Sequence, residues 1–372
     1  MNMTNGKILV SNFIKQCPIY AGSGILNSIA KIIKNKLPNV KKIAIVADQK
    51  LPQHLITKLK LSLKKYDLKI YKLNSKEEIK NITIAIRLIE DLIKNNFNRS
   101  DCIISFGGGV LSDLSAFVSS VTKRGIKFVN IPTTLLAQVD ASIGGKTAIN
   151  SIQGKNLIGT FYQPEFIIAD IALLNTLPNR EMISGYGEIL KHSLILDKKF
   201  FFWLMKNGKK VIQKNKNALK YAIIKSCKIK AKIVNLDEKE NSIRMVLNFG
   251  HTFGHAFEAT KKFSKKLNHG EAVLLGMMTA CEFSHKKKLL PLNDLALIKK
   301  HYFNLSLPKN IGDYFAKKDV NKIDYFMIKD KKNFSKKINL ILLKKIGKTI
   351  KPGNFLVNTT EIKKFLNSKL TR

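Results

Sequence analysis

Between residues 40 and 170, short apolar runs alternate with segments that repeat apolar residues at helical spacing. The apolar runs predict buried strands at residues 42–48, 68–71, 101–106, 126–131 and 166–169. The intervening segments 53–65 and 77–95 have the periodicity of helices. In the second segment, five isoleucines share one face: Ile79, Ile82, Ile86, Ile89 and Ile93. Such alternation predicts a mostly parallel sheet with helices on both faces.

The pattern changes after about residue 178, beyond which helical segments dominate. The predicted helices cover residues 181–196, 211–234, 245–260, 270–288, 293–302 and 360–369. One late run of β character, residues 338–343, is expected to pair locally. We therefore expect an α/β, Rossmann-like domain over residues 1–178 and a mainly α-helical domain over residues 179–372.

The formal net charge of +40, from 66 basic and 26 acidic residues, raises the question of a nucleic-acid partner. Only six of the basic residues are arginines, whereas a surface selected to grip phosphate backbones would be expected to use more of that bidentate side chain. Lysine, asparagine and isoleucine are enriched together even where no site is evident, which favours an AT-rich coding bias. We expect no specific nucleic-acid partner.

The chain also carries signals about its compartment. The N-terminus lacks the apolar core of a secretory signal, and no apolar run is long enough to span a bilayer. The four cysteines are scattered and form no CxxC pair. This pattern is typical of a reduced cytosolic protein without a thiolate metal site. We therefore expect a cytoplasmic protein with no membrane partner.

Three consecutive glycines, Gly107 to Gly109, join the predicted strand 101–106 to the segment that follows it. Glycine lets a backbone approach a pyrophosphate closely, and the first turn of a helix offers amide donors and partial positive charge. A tight turn is the alternative explanation, since the sequence is neither a GxGxxG fingerprint nor a P-loop. Its place after a buried strand in an α/β repeat favours nucleotide binding.

Two glycine-flanked lysines follow, in Gly144-Gly145-Lys146-Thr147 and Gly154-Lys155-Asn156. Lysines near the end of a strand suit a phosphate or a cofactor. In so lysine-rich a chain, each is also compatible with an ordinary solvated surface residue.

Three of the seven histidines lie close together, at His251, His255 and His269. His251 and His255 are four residues apart in a predicted helix and therefore project from one face. A catalytic metal takes about three protein ligands and keeps one position open, so these histidines require a carboxylate partner. Glu188 offers one, although a glutamate that stabilises the start of a helix is the alternative. Spacing alone favours His251 and His255 as the ligand pair.

Several motifs occur in one order along the chain: Gly107-Gly-Gly-Val-Leu-Ser-Asp113, Pro132-Thr-Thr-Leu-Leu-Ala-Gln-Val-Asp140, Ser142-Ile-Gly-Gly-Lys-Thr147, Gly154-Lys-Asn156, Gly185-Tyr-Gly-Glu188, Asn248-Phe-Gly-His-Thr-Phe-Gly-His-Ala256 and His269-Gly-Glu271. Together they resemble the 3-dehydroquinate synthase family, from about residue 43 to 347. The resemblance implies an NAD-dependent lyase that converts 3-deoxy-D-arabino-heptulosonate 7-phosphate to 3-dehydroquinate and phosphate in the shikimate pathway. It further implies that alcohol oxidation, phosphate elimination, ketone reduction, ring opening and aldol closure share one site, with NAD regenerated in each turnover.

The resemblance changes the choice of metal ligands. It implies that Glu188, His251 and His269 hold one divalent ion, zinc or cobalt, and that His255 lies on the substrate side. Two neutral imidazoles and one carboxylate leave the ion with a net positive charge, which suits binding of vicinal hydroxyl groups.

The resemblance also implies two larger sets of residues. The catalytic and substrate set holds Arg124, Lys146, Asn156, Lys191, Lys230, Arg244, Asn248, His255 and Lys332. The NAD set holds Asp48, Glu77, Lys80, Gly108, Gly109, Val110, Leu111, Ser112, Asp113, Thr133, Thr134, Asp140, Lys146, Lys155, Leu173, Leu174, Asn175 and Thr176. Two of the six arginines fall in the first set, which coding bias does not explain. Whether Lys331 or Lys332 serves the site stays open.

Two positions depart from the family's pattern. Lys76 stands where glycine is usual beside Glu77, and Ser112 stands where glycine is common. Both lie on the NAD side, so they bear on cofactor affinity more than on the type of reaction.

The expected partners are a small sugar-acid phosphate as substrate and a second copy of the chain in a homodimer. Two other enzyme functions compete: a cyclase acting on a related seven-carbon ketose phosphate, and a metal-dependent polyol dehydrogenase that releases NADH. An acid substrate, rather than the ketose phosphate of the related cyclase, is favoured by Lys230, Arg244 and Asn248. The motif at residues 248–258 argues against the polyol dehydrogenase.

Overall fold

The computed structural model describes residues 6–11, 16–264, 266–330 and 337–370, which fold into helices and strands with the following bounds. The strands are β1 (Gly6–Ser11), β2 (Gln16–Gly22), β3 (Lys42–Asp48), β4 (Asp67–Leu73), β5 (Cys102–Gly107), β6 (Lys127–Pro132), β7 (Ile149–Ser151), β8 (Gly154–Ile158), β9 (Phe166–Asp170), β10 (Lys337–Asn339), β11 (Leu343–Lys345), β12 (Lys348–Thr349) and β13 (Leu356–Asn358). The α-helices are α1 (Ile29–Lys36), α2 (Gln53–Ser62), α3 (Ile82–Lys94), α4 (Gly109–Val121), α5 (Asn179–Leu196), α6 (Lys198–Ile212), α7 (Lys216–Leu236), α8 (His251–Thr260), α9 (His269–Lys286), α10 (Leu292–Asn304), α11 (Val320–Asp330) and α12 (Thr359–Lys369).

The chain divides into two units. The first comprises Met1–Leu177 with Leu219–Glu238, and the second comprises Pro178–Ala218 with Lys239–Arg372. One boundary between these units lies between Leu177 and Pro178, and most of α7 is grouped with the first unit. Lys230 lies in that segment and not in the helical unit to which the sequence assigned it.

A seven-stranded sheet organises the first unit, in the order β1-β2-β9-β6-β5-β3-β4. All neighbouring pairs are parallel except β1 with β2. Side chains of β3 alternate between two cores: Ile43 and Ile45 pack with residues of α1 and α2, whereas Ala44 and Val46 pack with residues of α3 and α4. Because successive residues of a strand face opposite sides, an unbroken apolar run requires helices on both faces. The predicted Rossmann-like class is confirmed.

The carboxyl ends of the parallel strands carry several predicted NAD residues. The order of strands reverses at β3, which has β4 on one side and β5 on the other. Asp48 ends β3, Gly108 follows β5, and Thr133 follows β6. In open parallel sheets ligands bind outside the carboxyl ends of the strands at such a reversal, and Asp48 and Gly108 lie at the ends of the two strands that flank it.

Three predicted helices are interrupted, each where a polar or glycine residue starts a new helix. Asn81 accepts a hydrogen bond from Ile84 N at 2.9 Å, so α3 begins at Ile82 after a 3-10 turn at Glu77–Ile79. Asn215 separates α6 from α7, and Gly250 separates the 3-10 turn Ile243–Asn248 from α8. The predicted continuous helices 77–95, 211–234 and 245–260 were therefore wrong in extent.

The apolar face predicted for residues 77–95 was also wrong in orientation. Ala85, Leu88 and Leu92 are the buried residues of α3, whereas Ile82 and Ile86 are almost half exposed. The late β run is split as well. Its residues form parts of β10 and β11, which pair locally with β13 and β12. No helix among the described residues has both the length and the apolar character needed to cross a bilayer.

In the second unit, α8 and α9 touch backbone to backbone. A Cβ on Gly276 of α9 would overlap the carbonyl oxygen of Gly250, and one on Gly254 of α8 would lie 3.0 Å from the carbonyl oxygen of Ala272. Gly250 itself has a φ of +79°, which side chains other than glycine's rarely allow. The two helices can approach this closely only because these positions lack side chains.

Helix α5 meets α9 through a similar contact. A Cβ on Gly270, the second residue of α9, would overlap the backbone of Ser184 in α5. A Cβ on Gly187, one turn further along α5, would lie 3.1 Å from Leu274 Cγ. Glycine contacts therefore fix α5, α8 and α9 side by side.

We predict that Gly276→Ala destabilises the protein, because its methyl group would meet rigid backbone. Overpacking of this kind costs about 2 kcal/mol or more. For a unit of this size such a loss lowers the thermal midpoint by about 5 °C or more, measurable by calorimetry. Gly312→Ala is the matched control, because the nearest atom to its Cβ, Asn310 Oδ1, lies 3.4 Å away. Equal midpoints for the two variants would refute the packing argument.

Candidate metal centre and anion-binding sites

The three predicted metal ligands come from the three helices of the glycine contacts. Glu188 lies in the middle of α5, His251 is the first residue of α8, and His269 is the first residue of α9. One ligand atom of each lies within 4.8 Å of one from each of the others. Asn268 caps α9 by accepting a hydrogen bond from Glu271 N, while Glu271 accepts one from Asn268 N, so this capping box fixes the residue preceding His269.

Distances within this group match side chains that share an ion. His251 Nε2 lies 3.7 Å from Glu188 Oε1, too far for a hydrogen bond. Two atoms that each lie about 2 Å from a common ion are about 3–4 Å apart. His251 Nδ1 lies 3.3 Å from the carbonyl oxygen of Phe249, which leaves Nε2 directed at the carboxylate. Two imidazoles and one carboxylate are a donor set that zinc-type divalent ions prefer, so these residues fit the implied metal.

Glu258 orients His269 from behind. Its Oε2 lies 2.8 Å from His269 Nδ1, which leaves Nε2 of the ring for a metal. Burial lowers the pKa of His269, but the charge of Glu258 and the hydrogen bond to it outweigh this effect and raise the pKa above its ordinary value. Sequence reasoning missed Glu258. The available signal was its spacing, seven residues after His251 and hence on the same face of α8.

His255, Glu258 and His269 form a second, overlapping group of potential ligands. The ring centroid of His255 is 5.3 Å from that of His251 and 6.0 Å from that of His269. Because Glu258 is already hydrogen-bonded to His269, the geometry favours Glu188, His251 and His269 as the ligands and leaves His255 beside them.

The second unit also holds Lys191, Arg244 and Asn248. Lys191 is buried on α5 and forms an ion pair with Glu188 Oε2, one turn away. Arg244 is 2 % exposed. Asn248 Nδ2 donates to Glu240 Oε1 at 2.9 Å, which adds Glu240 to the residues that sequence reasoning missed. Two buried cations in one unit suit an anionic ligand.

In the first unit, Lys230 and Asp140 form a pair. Lys230 Nζ lies 2.7 Å from Asp140 Oδ1 and also donates to the carbonyl oxygen of Asp140. Asp140 belongs to a π-helical turn, Ala137–Ala141, which directly follows the segment containing Thr133 and Thr134. Turns of this kind are frequent at functional sites.

A second cluster of the first unit surrounds Lys80. Its Nζ, almost fully buried, donates to Asp113 Oδ2 at 2.7 Å and to Asn156 Oδ1 at 2.6 Å, and lies 3.9 Å from Glu77 Oε1. Burial raises the pKa of Asp113, although the nearby Lys80 ammonium works against that shift. The structure thus joins residues assigned to NAD (Glu77, Lys80 and Asp113) with one assigned to substrate, Asn156.

The glycine turn starts α4 as the nucleotide interpretation requires. Gly108 precedes the helix and Gly109 is its first residue. A Cβ on Gly108 would lie 3.2 Å from Thr134 Cγ2, so the chain passes close to the segment after β6. The amides of Gly109, Val110 and Leu111 form the first turn of the helix, where backbone donors are free to bind an anion.

Both departures from the family's pattern are accommodated. Ser112 is buried, and its hydroxyl lies 3.0 Å from Asn130 Oδ1. Lys76 has an extended backbone, with φ −89° and ψ 158°, which any residue adopts. Neither position needs the conformational freedom of glycine.

The remaining predicted residues of the first unit lie at loops and strand ends. Asp48 accepts hydrogen bonds from Ser75 Oγ and Lys50 N. The segment 173–176 covers the last two residues of the 3-10 turn after β9 and the two residues that follow it. Arg124, Lys146 and Lys155 are exposed. Lys332, like Lys331, lies outside the described residues.

Two family models match the chain in succession. The model described as 3-dehydroquinate synthase N-terminal matches residues 70–184, and the one described as 3-dehydroquinate synthase C-terminal matches residues 185–333. The chain belongs to the 3-dehydroquinate synthase family. The resemblance drawn from the motifs is confirmed.

Similar members of the 3-dehydroquinate synthase family match nearly the whole chain. A 3-dehydroquinate synthase of Pelagibacter ubique is 49% identical over 98% of this chain and 99% of its own length. One of Bradyrhizobium diazoefficiens is 38% identical over 95% of this chain and 94% of its own. Among solved structures, 2-deoxy-scyllo-inosose synthase complexed with carbaglucose-6-phosphate, NAD+ and Co2+ has a TM-score of 0.84 and 25% identity, covering 98% of this chain and 100% of that one.

We predict that His251→Ala removes the metal and that His255→Ala keeps it. Loss of a ligand should weaken the affinity for Zn2+ or Co2+ by at least about a hundredfold, since even outer-shell partners contribute tenfold to a hundredfold. Elemental analysis after dialysis measures the retained ion. His54→Ala, an exposed histidine on α2, is the matched control. If His251→Ala keeps the ion and His255→Ala loses it, the ion is held instead by the second group of potential ligands, His255, Glu258 and His269.

Proposed function

We propose that this protein converts 3-deoxy-D-arabino-heptulosonate 7-phosphate to 3-dehydroquinate and phosphate. The observation that carries the proposal is the grouping of Glu188, His251 and His269 in a chain that belongs to the 3-dehydroquinate synthase family. The overall reaction is neutral in redox terms, since the carbon oxidised at the start is reduced again after phosphate leaves.

The proposed cofactors are NAD and one divalent metal, in keeping with the NAD+ and Co2+ of the complexed inosose synthase. When bound, NAD takes up and returns one hydride, and the metal polarises the substrate's hydroxyl groups. Glu188, His251 and His269 would hold the metal, with Glu258 fixing the His269 ring. The first turn of α4 would hold the pyrophosphate of NAD, and Asp48, Glu77 and Lys80 would contact the rest of the cofactor.

The cations of the substrate set would bind the anionic groups of the heptulosonate phosphate. In the second unit these are Lys191 and Arg244, which are buried and therefore interact strongly with a charged ligand. In the first unit they are Arg124, Lys146 and Lys230, with Asn156 as a neutral donor. His255 would move protons at its imidazole, which lies beside the ligand histidines. Lys332 completes the set on the strength of the resemblance alone.

We further propose a homodimer in the cytoplasm, with neither a specific nucleic acid nor a membrane as partner. All four cysteines are buried thiols, which suits a reducing compartment. The assignment of NAD to the first unit and of the metal to the second is likewise a proposal, with Lys230 now on the NAD side.

We predict that the purified protein releases phosphate from 3-deoxy-D-arabino-heptulosonate 7-phosphate without net build-up of NADH. Activity should require NAD and should be lost on removal of the metal with a chelator. A coupled phosphate assay, with absorbance followed at the NADH band, measures both quantities. NADH that accumulates in proportion to phosphate would instead indicate a plain dehydrogenase.

We predict that Arg244→Ala impairs substrate use and spares NAD binding, because Arg244 lies in the second unit and its guanidinium can grip an anion in fixed geometry. We expect NAD affinity within about threefold of wild type and a fall in kcat/KM of about a hundredfold or more, about 2.7 kcal/mol. Calorimetric NAD titration and steady-state kinetics test this. Arg87→Ala, an exposed arginine on α3, is the control.

The division of labour would be contradicted if Arg244→Ala lost NAD affinity while its kinetics at saturating NAD stayed normal. Arg244→Lys keeps the charge and loses the bidentate fork, so it should fall between wild type and Arg244→Ala.

A further inference from the structure

The hairpin of β7 and β8 carries one residue, Asn150, that contacts three assigned residues through its side chain and its backbone. Asn150 lies in β7, and its side-chain amide has a hydrogen-bond partner at each end. Nδ2 donates to Glu77 Oε1 at 2.8 Å, and Oδ1 accepts from Asn156 N at 2.9 Å. Its backbone N donates to the carbonyl oxygen of Lys80 at 2.7 Å.

The backbone at Asn156 explains why such a contact is needed. Asn156 has a φ of +57°, in the left-handed region that costs energy for most residues. The register of β7 with β8 shifts between Ile149 and Ser151, so the regular ladder is irregular where Asn150 and Asn156 lie. Irregularities of this kind redirect side chains and are common beside functional sites. Within this irregular stretch, the Asn150 side-chain amide supplies a hydrogen-bond acceptor to Asn156 N.

Asn156 is thus held at two points. Asn150 fixes its backbone, and Lys80 Nζ donates to its side-chain Oδ1 at 2.6 Å. Glu77 is held through Asn150 Nδ2, and Lys80 through its ion pair with Asp113 at 2.7 Å. Glu77 and Lys80 belong to the set proposed for NAD and Asn156 to the set proposed for substrate, so the contacts of Asn150 reach both sets.

We infer that Asn150 is a positioning residue, whose side-chain amide couples the NAD-side carboxylate of Glu77 to the substrate-side backbone of Asn156. The inference rests on the proposed function. Asn150 itself acts through its neighbours: its donor end orients Glu77, and its acceptor end holds the irregular strand that presents Asn156.

Substitutions can test the donor end and the acceptor end of the Asn150 side chain separately. Asn150→Asp keeps an acceptor for Asn156 N but sets a carboxylate against Glu77, so we expect NAD to bind about tenfold more weakly with the substrate KM within about twofold of wild type. Asn150→Ser withdraws both contacts without adding charge, and it should raise both the NAD Kd and the substrate KM by about fivefold or more.

A double-mutant cycle distinguishes coupling from general damage. Glu77→Gln turns the partner into a possible donor, so in that background Asn150→Asp regains a hydrogen bond, and its cost in NAD affinity should shrink from about tenfold to threefold or less. Asn81→Ala is the matched control, because Asn81 caps α3 next to Lys80 and has no assigned ligand. It should lower the thermal midpoint and leave the NAD Kd and substrate KM within about twofold.

NAD affinity is measured by calorimetry, and KM by phosphate release from the heptulosonate phosphate. If wild-type protein releases no phosphate, the proposed function fails. If wild type is active but Asn150→Asp binds NAD normally, the role of Asn150 is overturned. The same holds if Asn150→Asp lowers NAD affinity as much in the Glu77→Gln background as in wild type. Should Asn150→Asp not fold, Asn150→Ser decides: an unchanged NAD Kd and KM would equally overturn it.

Discussion

The absence of side chains at a few glycines is the constraint on which the proposed metal centre depends. α8 and α9 touch at Gly250, Gly254 and Gly276, and α5 reaches α9 at Gly270. Because protein interiors are closely packed and yield little, a single methyl group at such a contact must push backbone apart. Glycine inside a helix lowers stability, because the unfolded chain loses more conformational freedom at a glycine than at other residues when it folds. Its repeated use at helix contacts therefore needs a compensating reason. Here these contacts bring together the proposed ligands Glu188, His251 and His269, which lie on three separate helices.

The electrostatics of the centre follow from that packing. Glu188 is 1 % exposed, and a carboxylate so far from water is destabilising unless positive charge lies beside it. Lys191 supplies one such charge from the same helix, and a divalent ion would supply more. Glu258 has a separate task, since its carboxylate holds the ring of His269. In the proposed centre, one buried carboxylate would therefore face the ion while another orients a ligand, a division that carboxylate–histidine–metal sites commonly use.

Sequence reasoning succeeded where a local pattern carries the information and failed where a tertiary contact does. The strand at residues 42–48 was predicted with its observed bounds, because burial on both faces leaves an unbroken apolar run. The motifs pointed to Glu188, His251 and His269 as metal ligands, whereas spacing alone favoured His251 with His255; His269 lies near His251 only through the packing of α8 on α9. The isoleucine stripe of α3 misled because smaller residues, Ala85 among them, form its buried face. Lys230 was misplaced because α7 packs with the unit that precedes it in sequence.

We propose above all that Glu188, His251 and His269, brought together by glycine-packed helices, hold one catalytic ion. The most direct test is a crystal structure of the Co2+-loaded protein, with the ion located in an anomalous difference map. The account predicts one strong peak within about 2.0–2.3 Å of a Glu188 oxygen and of one ring nitrogen each from His251 and His269, with Glu258 bonded to the His269 ring alone. A peak bonded to His255 and Glu258, with Glu188 left to Lys191, would contradict it.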